Sequence, residues 1–200
     1  MEIRVTKTAA PGSLPADETK LGFGAIFTDH MFVMDWERGA GWHDARIVPF
    51  SRLSIHPAST VLHYGAEIFE GLKAYRTVDG RICMFRPEEN FKRMNNSAIR
   101  MGLPTFDGDL ALKALKQLVE LDSEWVPHGE GTSLYIRPFM IGCDEHLGVH
   151  AIGHAQFLII MSPSGSYYAG GLSPVKIMIE SEDVRAVRGG TGEAKCGGNY

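Results

Sequence analysis

Cysteine is scarce in this chain. The three residues, Cys83, Cys143 and Cys196, are scattered, odd in number and without a C-x-x-C spacing. A disulfide framework and a cysteine-built zinc site are therefore not expected, and a reducing cytoplasm fits. Long apolar runs are missing as well: no stretch approaches the about 20 residues that a membrane-spanning helix needs. Residues 1–20 are polar and lack the apolar segment of a secretory signal. Nor is there an excess of positive charge. Lys and Arg number 20 against 24 Asp and Glu, a formal charge of -4, so no basic face for nucleic acid is expected. Internal repeats are absent too. What is present is ordinary for a globular protein, 44% apolar and 22% charged residues. At 200 residues the chain has room for one large domain, or for one small domain and part of another.

The hydrophobic pattern alternates between strand and helix signals, which makes the fold class α/β. Residues 1–19, rich in Pro, Thr and Ala, are expected to fray. Residues 23–36 (FGAIFTDHMFVMDW) read as a strand; after a Glu-Arg-Gly-Ala-Gly turn, residues 45–50 return as a hairpin. A short helix is expected over 59–70, then a strand over 72–77, an Asp79-Gly80 turn and a returning strand over 82–85. Pro87, with Glu88 and Glu89 behind it, suits the start of a helix whose apolar face is Phe91, Met94, Ala98 and Met101. Gly102-Leu103-Pro104 stops it, and a second amphipathic helix runs from Asp109 to Leu121. Residues 134–141 and 156–161 read as buried strands. Residues 162–174 (SPSGSYYAGGLSP) are the best linker candidate, and 175–180 read as a strand opening something new. The 26 residues after Pro174 are too few to bury a core of their own.

Most of the chemistry lies in the last twelve residues, Gly-Gly-Thr-Gly-Glu-Ala-Lys-Cys-Gly-Gly-Asn-Tyr, with five glycines around Lys195. Glycine lets backbone approach a ligand closely, but a bland flexible loop has the same composition. A phosphate-binding P-loop is excluded, because it needs Gly before the lysine and Ser or Thr after it, where Ala194 and Cys196 stand. A Schiff-base lysine is the remaining sharp reading: an amine whose charge can be suppressed in a tight, backbone-lined approach. His146, His150 and His154 are spaced as three ligands on a helix would be, but Gly148 and Gly153 interrupt the segment. Loop histidines are the expected reading, with no metal site.

The lysine segment closely resembles the lysine signature of branched-chain aminotransferases, pyridoxal-phosphate enzymes of fold type IV. Five further motifs match in order: Phe23-Gly24 with Phe27-Thr28-Asp29-His30-Met31; Leu62-His63-Tyr64-Gly65 leading to Phe69-Glu70-Gly71-Leu72-Lys73-Ala74-Tyr75; Phe85-Arg86-Pro87 with Asn90 and Arg93; Ser133-Leu134-Tyr135-Ile136-Arg137-Pro138; and Gly165-Ser166-Tyr167-Tyr168 with Gly170-Gly171. The similarity covers the chain from Leu21 to Tyr200.

The resemblance implies pyridoxal 5'-phosphate as cofactor and reversible transamination of Leu, Ile or Val with 2-oxoglutarate. It implies that Lys195 bonds the cofactor aldehyde and moves the proton between substrate and cofactor carbons. Tyr200 would hydrogen-bond the cofactor's phenolic oxygen, and Arg93 its phosphate. Phe23, Tyr64, Phe69, Tyr135 and Tyr167 would wall the side-chain pocket, where burying a branched aliphatic group is worth about 1.5–3 kcal/mol. Arg137 would meet the distal carboxylate of glutamate, a structural ion pair being the alternative. The implied architecture is an N-terminal small α/β (α+β) domain over 1–164, a linker over 165–174, and the beginning of a larger cofactor-binding domain over 175–200. A cytoplasmic homodimer is implied, with residues such as Tyr64 reaching the partner's site. Family members continue past the lysine motif and supply there an acidic residue for the pyridine nitrogen. The resemblance thus implies a chain truncated after that motif, with little transaminase activity by itself. Two other readings stay open: another fold-type-IV enzyme, acting on D-amino acids or aminodeoxychorismate, and a catalytically silent fragment.

Overall fold

The computed structural model describes residues 1–165 and 174–200. Tyr167, and with it the Ser166, Tyr168, Gly170 and Gly171 of the fifth motif, lies outside the described residues.

Eight strands form one mixed sheet: β1 (Arg4–Val5), β2 (His30–Glu37), β3 (Gly41–Pro49), β4 (Glu67–Phe69), β5 (Leu72–Arg76), β6 (Ile82–Met84), β7 (Ser133–Gly142) and β8 (His154–Ser164). The spatial order is β1-β3-β2-β8-β7-β5-β6, and every pairing is antiparallel except β1 with β3. The long strand β7 organises the site. One of its edges pairs with β8 along ten residue pairs; the other is shared, with β5 opposite Leu134–Ile136 and β4 opposite Phe139–Ile141. Between β4 and β5 the chain breaks step at Glu70 and Gly71, yet the Glu70 N–H still donates to the Pro138 carbonyl at 2.8 Å.

Among the described residues three α-helices accompany the sheet, α1 (Thr60–Tyr64), α2 (Pro87–Met101) and α3 (Gly108–Leu121). The expected faces of α2 and α3 are the buried ones: Phe91, Met94 and Ala98 on the first, Ala111, Ala114, Leu115 and Leu118 on the second. They close over a core centred on Phe157, which stacks on Phe106 at 4.7 Å and meets Phe32 and Phe91 edge-on. Gly102 ends α2 at φ 70°, where its N–H returns to the Ala98 and Ile99 carbonyls. The Asp107 side chain caps α3 by accepting from the N–H groups of Asp109 and Leu110.

Several expectations are corrected. The strand expected from residue 23 is β2, which starts only at His30, because Gly22 and Gly24 sit at φ 61° and 71° and turn the chain before it. The helix expected over 59–70 stops at Tyr64: Gly65 takes φ 58°, and Glu67–Phe69 then pair with β7 as a strand. Residues 162–164, read as linker, belong to β8, held by pairing with Ser133–Tyr135. Residues 175–180 are not a strand; among the described residues no edge pairs with them, and an apolar alternation without a partner strand does not form one. The N-terminal segment does not fray. After β1, the Thr8 N–H donates to His30 Nε2 at 2.9 Å, the Gly12 N–H to Asp29 Oδ1 at 2.8 Å, and the His128 and Gly129 N–H groups donate to the Glu18 carboxylate. Because His30 Nε2 accepts, the proton of that buried ring lies on Nδ1, 2.6 Å from Asp122 Oδ1. Composition was a poor guide there, since it does not register hydrogen bonds made to distant residues.

Candidate active site

The lysine segment is docked onto the sheet and α2 by its backbone. The Lys195 N–H donates to Ser97 Oγ at 2.9 Å, and its carbonyl accepts from the Phe69 N–H at 3.0 Å. The Gly197 N–H donates to Glu67 Oε1, and a Cβ on Gly197 would have to displace that carboxylate. Arg100 of α2 donates to the Gly189 and Gly190 carbonyls. Inside the loop, buried Asn199 donates to the Thr191 and Ala194 carbonyls at 2.9 and 2.7 Å and accepts from Thr191 Oγ at 3.0 Å. Ala194 and Cys196, on either side of the lysine, join the main core. The alternation of buried Ala194, half-buried Lys195 and buried Cys196 leaves the lysine side chain on the open face.

There the Lys195 amine sits over the Phe69 ring, 4.6 Å from its centroid, and donates to Tyr200 Oη at 3.1 Å. The Tyr200 ring tilts against Phe69 at 5.4 Å. Phe69 also carries the Arg137 guanidinium, 4.6 Å from its centroid. Arg137 Nη2 donates to Tyr135 Oη at 2.8 Å, and Tyr135 packs edge-on against Phe23 at 4.8 Å. Six residues singled out in the sequence, Lys195, Tyr200, Phe69, Arg137, Tyr135 and Phe23, thus form one connected row. Strand alternation explains part of it: Tyr135 and Arg137 are two apart on β7, on one face, and Phe69 lies opposite Phe139. Arg137 meets no carboxylate among the described residues. Its Nε is buried without a hydrogen-bond partner, which argues against the structural ion pair and leaves a donor for a ligand. Beside it is a cavity of about 240 Å³ walled by Phe23, Phe27, Tyr135, Ile160 and Met161.

Two residues fall outside this row. Tyr64, on α1, is 47% exposed and donates from its hydroxyl to the Leu147 carbonyl. Arg93, on the first half of α2, is held by Glu70: Nε and Nη2 donate to the two carboxylate oxygens at 2.6 and 2.7 Å. These hydrogen bonds, helped by the Glu70 charge and opposed by burial, hold the guanidinium above its usual pKa. Sequence reasoning gave no role to Ser97, Asn199, Glu67 or Glu70. The signal available for Glu70 was an acidic residue within the apolar Ile68-Phe69-Glu70-Gly71-Leu72 run. The histidines do not share a helix: His146 and His150 lie between β7 and β8 with rings 4.9 Å apart, and His154 opens β8. Among the described residues no three His, Cys, Asp or Glu side chains are grouped as metal ligands, and no helix is long and apolar enough to cross a membrane.

No family-level sequence model matches the chain. Individual relatives do. It is 56% identical over 185 residues to the branched-chain-amino-acid transaminase 1 of Bacillus subtilis strain 168, which covers 92% of this chain and 52% of that protein. Among solved structures it is similar to the branched-chain aminotransferase of Thermoproteus uzoniensis with norvaline, at 25% identity and TM-score 0.55, covering 70% of this chain and 43% of that one. The T.th. branched-chain amino acid aminotransferase with pyridoxamine 5'-phosphate matches at 28% identity and TM-score 0.51, covering 68% and 41%. The chain spans about half the length of the curated relatives it matches, and the mixed sheet with few helices is the N-terminal domain of the fold-type-IV neighbours. Over the half of their length that it spans, this chain is similar to branched-chain aminotransferases in both sequence and fold.

Proposed function

We propose that this chain carries the lysine half of a pyridoxal-phosphate site that transaminates branched-chain L-amino acids with 2-oxoglutarate. The observation that carries the reading is the Lys195 amine, held over Phe69 and hydrogen-bonded to Tyr200 at 3.1 Å in a loop fastened by Ser97 and Asn199. The donor set suits the cofactor: an amine for its aldehyde, a phenol for its ring oxygen, and the guanidinium of Arg93 for its phosphate. When bound, pyridoxal phosphate supplies the carbonyl that captures the substrate amino group and the ring that draws electrons from the breaking Cα–H bond.

The rest falls to this chain's residues. Lys195 Nζ takes the proton from the substrate's Cα and delivers it to the cofactor side, as a positioned general base must. Phe69 covers one side of that amine and limits water around it. Tyr200 Oη, facing Nζ, would hold the cofactor's ring oxygen. Phe23 and Tyr135 wall the aliphatic side chain beside the 240 Å³ cavity; Tyr167, given the same role by resemblance, lies outside the described residues. Arg137, with its unpartnered Nε, meets the distal carboxylate when glutamate replaces the aliphatic substrate. Tyr64, standing apart on α1, fits a residue offered to a partner subunit of a cytoplasmic homodimer. Residues 165–174 are read as the link between a small domain ending near 164 and a larger one that begins at 175.

The test is the absorbance of the purified chain incubated with pyridoxal phosphate, against a Lys195→Ala variant, followed by a panel of amino-acid substrates. A yellow absorbance that borohydride bleaches, lost in the variant, is the expected result. Turnover of D-alanine without turnover of leucine would move the assignment to another fold-type-IV enzyme. A colourless protein that binds no pyridoxal phosphate would refute both.

A further inference from the structure

Glu70 is fully buried, at 0% exposure, and its carboxylate is met by four donors. Arg93 Nε donates to Oε1 at 2.6 Å. Arg93 Nη2, Asn90 Nδ2 and the Gly71 N–H donate to Oε2 at 2.7, 2.9 and 3.2 Å. Asn90 and Arg93 are three apart on α2 and so share a face. A bidentate carboxylate fixes the plane of a guanidinium as well as its place. Here it takes the Nε–Nη2 edge, and among the described residues Nη1 is left without a hydrogen bond, on a side chain still 56% exposed. Arg93 lines an open cleft of about 430 Å³ with Phe85, Arg86, Glu89 and Asn90.

Glu70 also follows directly on Phe69, whose N–H holds the Lys195 backbone and whose ring carries the Lys195 amine. The end of β4 therefore touches Lys195 with Phe69, and the next residue, Glu70, holds Arg93. We infer that Glu70 is a positioning residue: it presents the Nη1 edge of Arg93 to the cofactor phosphate and ties the position of that edge to Lys195. The inference rests on the proposed pyridoxal-phosphate reading and on Arg93 as its phosphate ligand.

A purely electrostatic role has the opposite sign. An anion beside Arg93 weakens attraction for phosphate, so neutralising it would strengthen phosphate binding. A positioning role predicts weakening, because the amide of a Gln would turn an N–H donor toward Arg93 and Asn90, which are themselves donors.

The experiment measures, by equilibrium dialysis on the full chain, the affinity for pyridoxal phosphate and for pyridoxal, which lacks the phosphate. The ratio of the two reports phosphate recognition separately from general stability and from capture by Lys195. Glu70→Gln is expected to lower that ratio about tenfold, the size of one charge-assisted hydrogen bond. Arg93→Met should lower it further, and the double variant should match Arg93→Met alone. A Glu70→Gln ratio equal to or above that of the unaltered protein, with Arg93→Met still lowering it, overturns the positioning role while leaving the proposed function standing. An unchanged ratio in Arg93→Met removes Arg93 from the phosphate site, and the role of Glu70 with it. Should Glu70→Gln fail to fold, Asn90→Ala, which removes one donor from the same carboxylate, carries the comparison with the same expected direction.

Discussion

Gly71 is half-buried, and its φ is one that any residue adopts, yet a side chain there has nowhere to go. A Cβ built on it would stand 2.3 Å from Tyr135 Oη and 3.1 Å from Cζ. Ordinary contact begins about 1 Å further out, so Gly71→Ala must push the hydroxyl of Tyr135 away by roughly that amount. The hydroxyl accepts from Arg137 Nη2 at 2.8 Å. A displacement of about 1 Å puts that bond outside hydrogen-bond range. The ring cannot swing freely, being packed edge-on against Phe23. The cost combines overpacking with loss of a charge-assisted hydrogen bond, each about 1–3 kcal/mol in comparable sites. Exposure of the pair discounts the second, and about 2 kcal/mol in all is expected. Urea denaturation of Gly71→Ala, Tyr135→Phe and the double variant measures it. Removing the hydroxyl removes the nearest clash and the hydrogen bond together. Gly71→Ala should therefore cost at least about 1 kcal/mol less in the Tyr135→Phe background. Equal costs in the two backgrounds would refute the reasoning, since the clash would then not be with that hydroxyl.

Two other predictions concern the lysine loop and the thiols. Asn199→Ala removes three hydrogen bonds from inside the loop. The Ala194 amide, bonded to the Thr191 carbonyl at 2.9 Å, should then exchange with solvent at least about tenfold faster, while amides in β7 keep their protection; unchanged exchange at Ala194 would show that the glycines and Ser97 hold the loop unaided. Burial, with smaller contributions from Asp35 and Asp144 against a weakening backbone hydrogen bond, pushes the Cys143 thiol up to about 11. A group raised above its ordinary value stays protonated at pH 8 and is a poor nucleophile. Iodoacetamide at pH 8, followed by mass spectrometry, should label exposed Cys83 first and spare Cys143 until the pH approaches 11 or the chain unfolds; rapid labelling of Cys143 in the native protein would contradict this.

Particular residues show how far the sequence could be read. Helices α2 and α3 were legible because their apolar residues recur at helical spacing and the ends of α2 carry Pro87 and Gly102, whose conformational demands are local. Strand ends were less legible. Residues 162–164 look like linker by composition but extend β8, and residues 175–180 look like strand but have no paired edge among the described residues. Strand formation is a property of pairs, and a partner more than ten residues away is not written in the local pattern.

The same division runs through the site. Lys195 and its glycines were marked in the sequence by the match of the whole twelve-residue segment, since glycines around a lysine suit a bland loop equally well. The aromatic and basic residues were marked by family resemblance, without any indication of which would meet. Tertiary structure decided that Phe69 lies under both Lys195 and Arg137, that Tyr64 stands apart, and that Arg93 is gripped by Glu70. The sequence by itself determined the chemistry available and the turns that a local backbone geometry requires. Only the fold decided which charges share a surface, because a guanidinium and a buried carboxylate 23 residues apart are brought together by the packing of α2 across the β4–β5 break, and no local pattern encodes that distance.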